Sequence, residues 1–382
     1  MRKLPYGANY LDWDDMTELK SALDQKILFR YQTIGDSVAN QFERAATKRF
    51  GTQYALGVHN CTEALRLCLL STKPKVGDVV YIPAVTFIAV AGAVLSCGLI
   101  PVMVDVDEDF SLDITQLPQD AERVIVAHME GVVGKVPTNI PFAIEDTAQA
   151  CGATYADGRY AGSVGYAGVF SFHHNKMLTS GEGGLIVTNN PEAWELMRKY
   201  HDHGSSRVHG EYPRWKADAF YGENFVTSEP IAAIQLQQLR YLDKIKSGLE
   251  RGYRLLRKQI PENLLFRIME RQPGDVKISL RLSFETLELR NRLEELLREN
   301  KLPYWTLDRY FLPSHPVMMY RQSIYADDFP WNLSSQTPQT PDDFKPVFDR
   351  LARVLCLTIS PEISEAEQQE EATAFIKVLK QL

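Results

Sequence analysis

Two side chains in the N-terminal half of the chain stand where a reactive group could act. Lys176 lies in a polar turn between the apolar run 169–172 and the glycine-rich segment 181–184, and Asp146 ends another apolar run. A lysine amine forms a Schiff base with a carbonyl compound once partial burial leaves it unprotonated. A carboxylate that ends a buried strand is costly unless it is paired. Asp146 could therefore hold a cation or a protonated ring nitrogen, or it could cap the next segment.

Three further features suit a flat, anionic ligand. Asn60 and Thr62 lie where a predicted helix begins, and the unpaired N–H groups of a helix N-terminus attract phosphate. Phe87 follows a short apolar run and could lie over a flat ring, and Gln149 could donate to a ligand oxygen. Each also has a structural explanation, since Asn60 or Thr62 could cap the helix and Phe87 could belong to the core. None of these residues is conclusive by itself.

Several classes of site are not expected. His173 and His174 are adjacent, but no carboxylate or thiol lies at ligand spacing beside them, so we predict no metal site. The five cysteines are scattered without a Cys-x-x-Cys pair, which predicts reduced thiols and a cytoplasmic protein. The chain has 42 basic and 49 acidic residues, a net charge of −7, which argues against a nucleic-acid partner.

One long uncharged stretch must be distinguished from a membrane span. No charged residue occurs between Asp78 and Asp105, but Pro83 and Pro101 interrupt the stretch. A buried strand–helix–strand unit explains this pattern better than a bilayer crossing. The first residues also lack the apolar core of a signal peptide, so we expect no membrane association.

The elements that must position these residues follow the pattern of an α/β protein. Short runs rich in valine and isoleucine predict buried parallel strands, which lie at 79–82, 102–106, 124–127, 142–144 and 185–187. Other patterns predict helices at 36–50, 62–70, 231–258, 287–300 and 362–381, a strand at 276–284 and a loop at 322–343. We expect a large α/β domain with an N-terminal arm over 1–230. A connecting helix and a small C-terminal α+β domain should follow over 231–382.

The segments around Asn60, Phe87, Asp146 and Lys176, in this order and spacing, resemble the pyridoxal-phosphate sugar aminotransferases of the DegT/DnrJ/EryC1/StrS family. The strongest motifs are Glu-Asp-Thr-Ala-Gln-Ala at 145–150, Ser-Phe-His-x-x-Lys at 171–176 and Gly-Glu-Gly-Gly at 181–184. The resemblance covers about residues 30 to 245. It implies the aspartate-aminotransferase-like fold (PLP fold type I), with a mostly parallel sheet in the large domain. It also implies a homodimer whose subunits share their active sites.

The resemblance implies a role for each of these residues. Lys176 would form the Schiff base with pyridoxal 5′-phosphate and then act as general base and acid. Asp146 would pair with the protonated ring nitrogen, Gln149 would contact the ring hydroxyl and Phe87 would stack on the ring. The remaining cofactor contacts would come from Asn60, Cys61, Thr62 and Ser171 around the phosphate, His173 near the ring, and Asn224, which would reach the phosphate in the neighbouring subunit.

Two departures from the family pattern concern the phosphate and the dimer. Cys61 stands where the family usually has a glycine, which would ease close approach of the backbone to phosphate. Val226 and Thr227 stand where the family usually has arginine and methionine. An arginine that could contact the substrate or the cofactor across the dimer is therefore missing. Its possible substitutes are Arg207, Arg214 and Arg251.

The implied reaction moves an amino group from an amino acid such as L-glutamate to the carbonyl of a sugar. The runs 28–31, 145–152 and 200–204 are similar to the subgroup that aminates C8 of an oxidised 3-deoxy-manno-octulosonate for lipopolysaccharide. A nucleotide-linked 3-keto or 4-keto deoxysugar is the alternative acceptor. A related branch has histidine in place of the lysine and dehydrates its substrate, and Lys176 favours transamination over that chemistry. A pyridoxal-phosphate-binding protein without turnover is the remaining alternative.

Overall fold

The computed structural model describes residues 6–32, 36–205, 218–260 and 265–382. The strands are β1 Tyr54–Val58, β2 Val79–Pro83, β3 Ile100–Val104, β4 Arg123–Ala127, β5 Phe142–Asp146, β6 Ala167–Ser171, β7 Gly184–Thr188, β8 Phe266–Met269, β9 Ser279–Phe284, β10 Tyr304–Trp305 and β11 Val354–Thr358. The helices are α1 Thr17–Asp24, α2 Val38–Phe50, α3 Cys61–Ser71, α4 Ala89–Ser96, α5 Pro191–Tyr200, α6 Glu229–Arg240, α7 Leu242–Gln259, α8 Leu287–Glu299, α9 Pro316–Met319, α10 Lys345–Leu351 and α11 Glu365–Leu379. Short 3₁₀ turns lie at Tyr6–Tyr10, Ile114–Gln116, Met129–Gly131, Asp308–Tyr310, Leu312–Ser314, Trp331–Leu333 and Pro341–Phe344.

The larger sheet has seven strands in the order β1-β7-β6-β5-β4-β2-β3. The strands from β6 to β3 pair in parallel, whereas β7 runs antiparallel to both β1 and β6. All five residues of β4 and of β7 are buried, as expected for a sheet covered on both faces. The predicted α/β fold with a mostly parallel sheet is therefore confirmed.

The second sheet is antiparallel, in the order β10-β11-β9-β8. Helices α7, α8 and α11 pack around it, and its central strands β9 and β11 are almost fully buried. The N-terminal arm crosses to this part of the chain, since the Tyr6 hydroxyl donates to the Ile278 carbonyl at 3.3 Å and the Tyr10 hydroxyl donates to the Pro361 carbonyl at 3.1 Å.

Several predicted boundaries were wrong. The long helix expected at 231–258 is two helices, α6 and α7, which meet at Tyr241. The strand expected at 276–284 begins only at Ser279, because residues 272–278 form a turn whose backbone bonds to Gly131 and Thr154. The segment 322–343 contains two 3₁₀ turns within the expected loop. Among the described residues, no helix is both long and apolar enough to cross a membrane.

Candidate active site

A cavity of about 220 Å³ lies where the carboxyl ends of β4, β5 and β6 meet the N-terminus of α3. The strand register explains why these ends converge, since Asp146 pairs with Ala127 on one side and Val169 on the other. Close packing also requires a glycine at 184, where a Cβ would lie 2.5 Å from the Asn60 carbonyl oxygen. The predicted site residues that line this cavity are Asn60, Cys61, Thr62, Phe87, Asp146, Gln149, Ser171, His173 and Lys176.

The Lys176 amine lies in the half-buried turn that follows β6. Burial lowers its pKa below the ordinary value of lysine, the charges of Asp146 and Cys61 oppose this, and Arg309 adds to it. The turn is fixed by the main chain, because the Lys176 N–H donates to the His173 carbonyl at 3.0 Å and the Lys176 carbonyl accepts from Gly7 at 3.2 Å. An amine with a lowered pKa, carried on a fixed backbone, is suited to attack a carbonyl carbon.

Asp146, the last residue of β5, carries the acid that faces this amine. Burial raises the pKa of its carboxyl, although a hydrogen bond from the Ala148 N–H at 3.0 Å and the nearby Lys176 charge oppose the rise. The raised pKa indicates a carboxylate with less solvation than it needs. A cation placed beside it, such as a protonated ring nitrogen, would stabilise its charged form.

The N-terminus of α3 offers two backbone donors to the cavity. The Asn60 side chain caps the helix by accepting from the Glu63 N–H at 2.9 Å. Among the described residues, nothing accepts a hydrogen bond from the N–H groups of Cys61 and Thr62. Unused donors at a helix N-terminus form a site for a phosphate group.

The Cys61 side chain is directed away from these donors. Its thiol lies 3.9 Å from Asp146 Oδ1, and burial together with that carboxylate raises the pKa of the thiol well above its ordinary value. The thiol therefore stays neutral and adds no negative charge beside a bound phosphate. The cysteine in place of the usual glycine therefore leaves the backbone N–H groups at the N-terminus of α3 accessible.

Phe87 and His173, two further predicted site residues, also line the cavity. Phe87 is 56% exposed, so it is not a core residue, and its ring faces that of Tyr310 at a centroid distance of 6.4 Å. His173 contacts Asn175 Oδ1 through Nδ1 at 2.8 Å and lies 3.5 Å from Glu182 through Nε2. Across the described ranges, no group of three histidine, cysteine or acidic side chains could hold a metal ion.

A buried glutamate beside Asp146 holds the walls of the cavity together. Glu145 accepts hydrogen bonds from His128 Nε2 at 3.0 Å, from the Tyr155 hydroxyl at 2.6 Å, and from three backbone N–H groups of residues 162–165. Burial alone would raise the pKa of Glu145, but these donors outweigh it and the pKa falls to about 2. His128 itself lines the cavity. It follows the end of β4 and could have been found by the same signal as Asp146.

A second cavity of about 310 Å³ continues from the first towards the smaller sheet. The two share Gln149, Lys176 and Tyr310, so they form one cleft. The strip at 308–312 is held against the end of β2, because the Tyr310 carbonyl accepts from the Thr86 N–H at 2.9 Å. Sequence reasoning missed this wall, since nothing in the strip itself marks it as part of a site.

Arg309 is the residue of that strip whose charge lowers the pKa of the Lys176 amine. Its guanidinium lies over the rings of Trp305, at 5.6 Å, and Tyr310, at 4.9 Å. It is exposed at the cavity wall and forms no ion pair with any carboxylate of the described chain. The strip therefore presents a cation to whatever enters the cleft.

The other predicted contacts are not in the cleft of this chain. Asn224 is exposed, and its backbone pairs with Asp202. Its predicted contact concerns a neighbouring subunit and stays a prediction. Arg251 binds Gln368 at 2.6 Å and the Ile363 carbonyl at 3.0 Å, away from both cavities. Arg207 and Arg214 lie outside the described residues.

The sequence profile of the DegT/DnrJ/EryC1/StrS aminotransferase family matches residues 11–375. The chain is 31% identical over 314 residues to GDP-perosamine synthase of Escherichia coli O157:H7, which covers 76% of this chain and 82% of that protein. It is 32% identical over 244 residues, 57% of each chain, to L-glutamine:2-deoxy-scyllo-inosose aminotransferase of Streptoalloteichus tenebrarius.

Solved structures share the fold over almost the whole length. 3-Amino-5-hydroxybenzoic acid synthase matches with a TM-score of 0.81 at 23% identity, covering 100% of this chain and 99% of that one. The E. coli GDP-4-keto-6-deoxy-D-mannose-3-dehydratase with bound hydrated PLP matches with a TM-score of 0.79 at 19% identity, covering 99% and 100%. At these identities the likeness concerns the fold alone.

Proposed function

The chain belongs to the DegT/DnrJ/EryC1/StrS aminotransferase family and is a sugar aminotransferase that depends on pyridoxal 5′-phosphate. From this premise we propose that L-glutamate is its amino donor and a nucleotide-linked keto sugar its acceptor. We also propose that the residues of the smaller cavity hold the cofactor. The observation that carries the proposal is the meeting of Lys176, Asp146 and the open N-terminus of α3 in one cavity.

The residues present fit the cofactor. The N–H groups of Cys61 and Thr62 would hold its phosphate, with the Ser171 hydroxyl beside them. Asp146 would pair with the ring nitrogen and so regain the solvation that burial removes. Pyridoxal 5′-phosphate supplies, when bound, an aldehyde that accepts amino groups and a ring that stabilises negative charge on the adjoining carbon.

Lys176 is the proton carrier of the reaction in this proposal. Once its amine is free, it removes the proton from the amino-bearing carbon of the donor, and in the second half-reaction it returns a proton to the sugar carbon. The lowered pKa supports this role, because an amine that gives up its proton more readily can act as a base nearer neutral pH. The lysine also supports transamination over the dehydratase alternative.

Arg309 is our candidate for the donor's carboxylate. It reaches the cleft from the smaller domain, influences the Lys176 charge, and pairs with no carboxylate in the described part of the chain. An arginine guanidinium forms two parallel hydrogen bonds with a carboxylate. The carboxylate of an amino acid lies one bond from the carbon on which Lys176 acts, so both contacts can be made at once.

The acceptor is proposed from the relatives. GDP-perosamine synthases of two bacteria are among them, and perosamine carried by GDP is a nucleotide-linked amino sugar. Two of the three runs that suggested the octulosonate acceptor, 28–31 and 200–204, line neither cavity and have scaffold contacts instead. Arg30 is buried and pairs with Glu43 at 2.7 Å, and His201 is buried, outside both cavities. The octulosonate acceptor therefore has only the resemblance of those runs in its favour.

The assembly proposed is a homodimer with shared sites. It is supported by Asn224, which is exposed on the chain surface rather than turned into its own cleft. In a two-fold dimer, a residue on that surface can complete the site of the partner subunit.

The test is a pair of half-reactions on the cofactor-loaded protein. L-glutamate should change the visible absorbance of the bound cofactor, and a keto sugar added afterwards should reverse the change. Mass analysis of the products from a panel of nucleotide-linked 3-keto and 4-keto sugars and the C8 aldehyde of 3-deoxy-manno-octulosonate identifies the acceptor. Lys176→Ala should abolish both changes, while Lys345→Ala, on the exposed face of α10, should leave them intact. Loss of water without amino transfer would refute the proposal.

A further inference from the structure

Glu130 is a buried acid in an unusual backbone conformation beside the cofactor cavity. It lies in the turn after β4, it is 1% exposed, and its φ of 57° and ψ of 31° are in the left-handed region. Side chains other than glycine adopt that region at an energetic cost, so surrounding contacts must hold it. The adjoining residues His128 and Met129 line the cavity.

Two arginines from the smaller domain provide those contacts. Arg271 donates to the Glu130 backbone carbonyl at 2.9 Å and pairs with its Oε2 at 2.7 Å. Arg281 Nε lies 3.5 Å from the same oxygen, and the Ser279 hydroxyl donates to Oε1. Both the main chain and the side chain of Glu130 are therefore fixed from the other side of the domain junction.

The adjoining backbone is fixed from the same side. The Val276 N–H donates to the Gly131 carbonyl at 2.9 Å. A Cβ at 131 would lie 2.0 Å from the Val276 carbonyl oxygen, so only glycine permits this approach. The turn of the larger domain is thus clamped by residues 271–281.

The charges of this cluster balance. Arg281 also binds Asp109, with its Nη2 donating to Oδ1 at 2.8 Å. Two arginines therefore meet two acids, and removal of either acid would leave two buried cations beside a single carboxylate. Asp109 lies on the far side of Arg281 and lines neither cavity, which makes it a matched control for Glu130.

The clamped turn reaches the cofactor cavity through one hydrogen bond. The Glu130 N–H donates to Gln149 Oε1 at 2.9 Å. Because the amide oxygen of Gln149 is engaged, its NH₂ group is the part left to meet a ligand. Without this bond the amide could turn over and present an acceptor to a ring oxygen.

We propose that Glu130 is a positioning residue, whose pairing with Arg271 fixes the backbone that orients Gln149 as a hydrogen-bond donor to the ring oxygen of the cofactor. The inference rests on the proposed contact between Gln149 and the cofactor. It makes the docking of the smaller domain a determinant of the cofactor environment. A charge cluster that served stability alone would not influence the cofactor.

The test compares Glu130→Gln, Asp109→Asn and Gln149→Ala in the cofactor-loaded protein. The readouts are the pH midpoint of the visible absorbance change and the dissociation constant of the cofactor. A donor beside the ring oxygen favours its anionic form, so Gln149→Ala and Glu130→Gln should both raise the pH midpoint. Loss of one hydrogen bond should weaken cofactor binding roughly threefold to tenfold in each. The double variant should show little further change, and Asp109→Asn should move the unfolding temperature without moving either readout.

The outcomes separate the two proposals. If the pH midpoint shifts in Gln149→Ala but not in Glu130→Gln, the positioning role is overturned. If Asp109→Asn shifts the midpoint equally, the effect of Glu130 is one of stability alone. No shift in Gln149→Ala would instead contradict the proposed cofactor contact. If Glu130→Gln does not fold, hydrogen exchange in the cofactor-free protein decides. Gln149→Ala should speed exchange of the Glu130 amide, and unchanged exchange would overturn the inference.

Discussion

Replacing Asp146 by asparagine tests the proposed pairing of this carboxylate with the protonated ring nitrogen of the cofactor. Asparagine has nearly the same shape and keeps an oxygen that can accept the Ala148 N–H bond at 3.0 Å. The end of β5 should therefore keep its conformation. What is lost is a negative charge at a place where burial already raises the pKa of the carboxyl.

The expected cost follows from the strength of a charged hydrogen bond in a buried site. Such bonds contribute about 1.5–3 kcal/mol, and at about 1.4 kcal/mol per tenfold the rate of the half-reaction should fall on the order of a hundredfold. The Lys176 amine should respond as well. Because the Asp146 charge raises the pKa of that amine, its removal should lower the pKa further.

The assay is the single-turnover rate with saturating L-glutamate, followed by the visible absorbance of the bound cofactor. Asp105→Asn is the matched control, since Asp105 follows the end of the neighbouring strand β3 but does not line the cavity. Thermal unfolding should show that both variants are folded. A rate within about twofold of the unaltered protein, with cofactor bound, would show that no ring nitrogen depends on Asp146.

Three other results are expected. Arg309→Gln should raise the KM for L-glutamate on the order of tenfold, because a charge-assisted contact is lost, and its unfolding temperature should not change, because the side chain is exposed. The control Arg292→Gln loses only a surface pair with Glu295 and should leave the KM unchanged. An unaltered KM in Arg309→Gln would show that Arg309 does not bind the donor. Mixing inactive Lys176→Ala subunits with inactive Asn224→Ala subunits should restore about a quarter of full activity, because half of the random dimers are mixed and each mixed dimer has one intact site out of two. No recovery after subunit exchange would contradict shared sites. The free energy of urea unfolding should fall as the pH drops from about 4.5 towards about 2. The pKa of Glu145 is lower in the folded chain than in the unfolded chain, so its contribution is complete above the unfolded-state pKa and absent below the folded-state pKa. Glu145→Gln should remove that part of the pH dependence, and an unchanged pH profile in this variant would assign the loss of stability to other acids.

The residues that line the smaller cavity were predictable because their signals in the sequence are local. A polar residue directly after a buried apolar run marks the carboxyl end of a strand, and parallel strands bring those ends together. Asp146 and Lys176 were both found in this way. His128 carries the same signal, since it directly follows β4 and lines the cavity.

Of the strands that were missed, β1 and β11 are largely buried, mostly apolar runs that the same rule could have found, whereas β8 and β10 lack such signals. β8 is only half-buried and carries Arg267, and β10 has two residues, so neither forms an apolar run. The break between α6 and α7 at Tyr241 was not predicted for two reasons. No proline or glycine marks it, and the apolar stripe continues on both sides of it. The antiparallel direction of β7 depends on a short return through the glycine-rich segment, which periodicity does not reveal.

The part of the cleft that we propose for the substrate was not predictable from the sequence, for a different reason. Arg309 lines the same cleft as Lys176 because the strip at 308–312 pairs with the end of β2, more than two hundred residues earlier in the chain. The clamp on Glu130 has the same long-range origin in Arg271 and Arg281. In the proposed function, the part of the chain around the larger sheet carries the lysine and the acid for the cofactor, while the part around the smaller sheet would supply the cation for a substrate and fix the orientation of Gln149. Variation in the second domain can therefore change what is bound without altering the chemistry that the first provides.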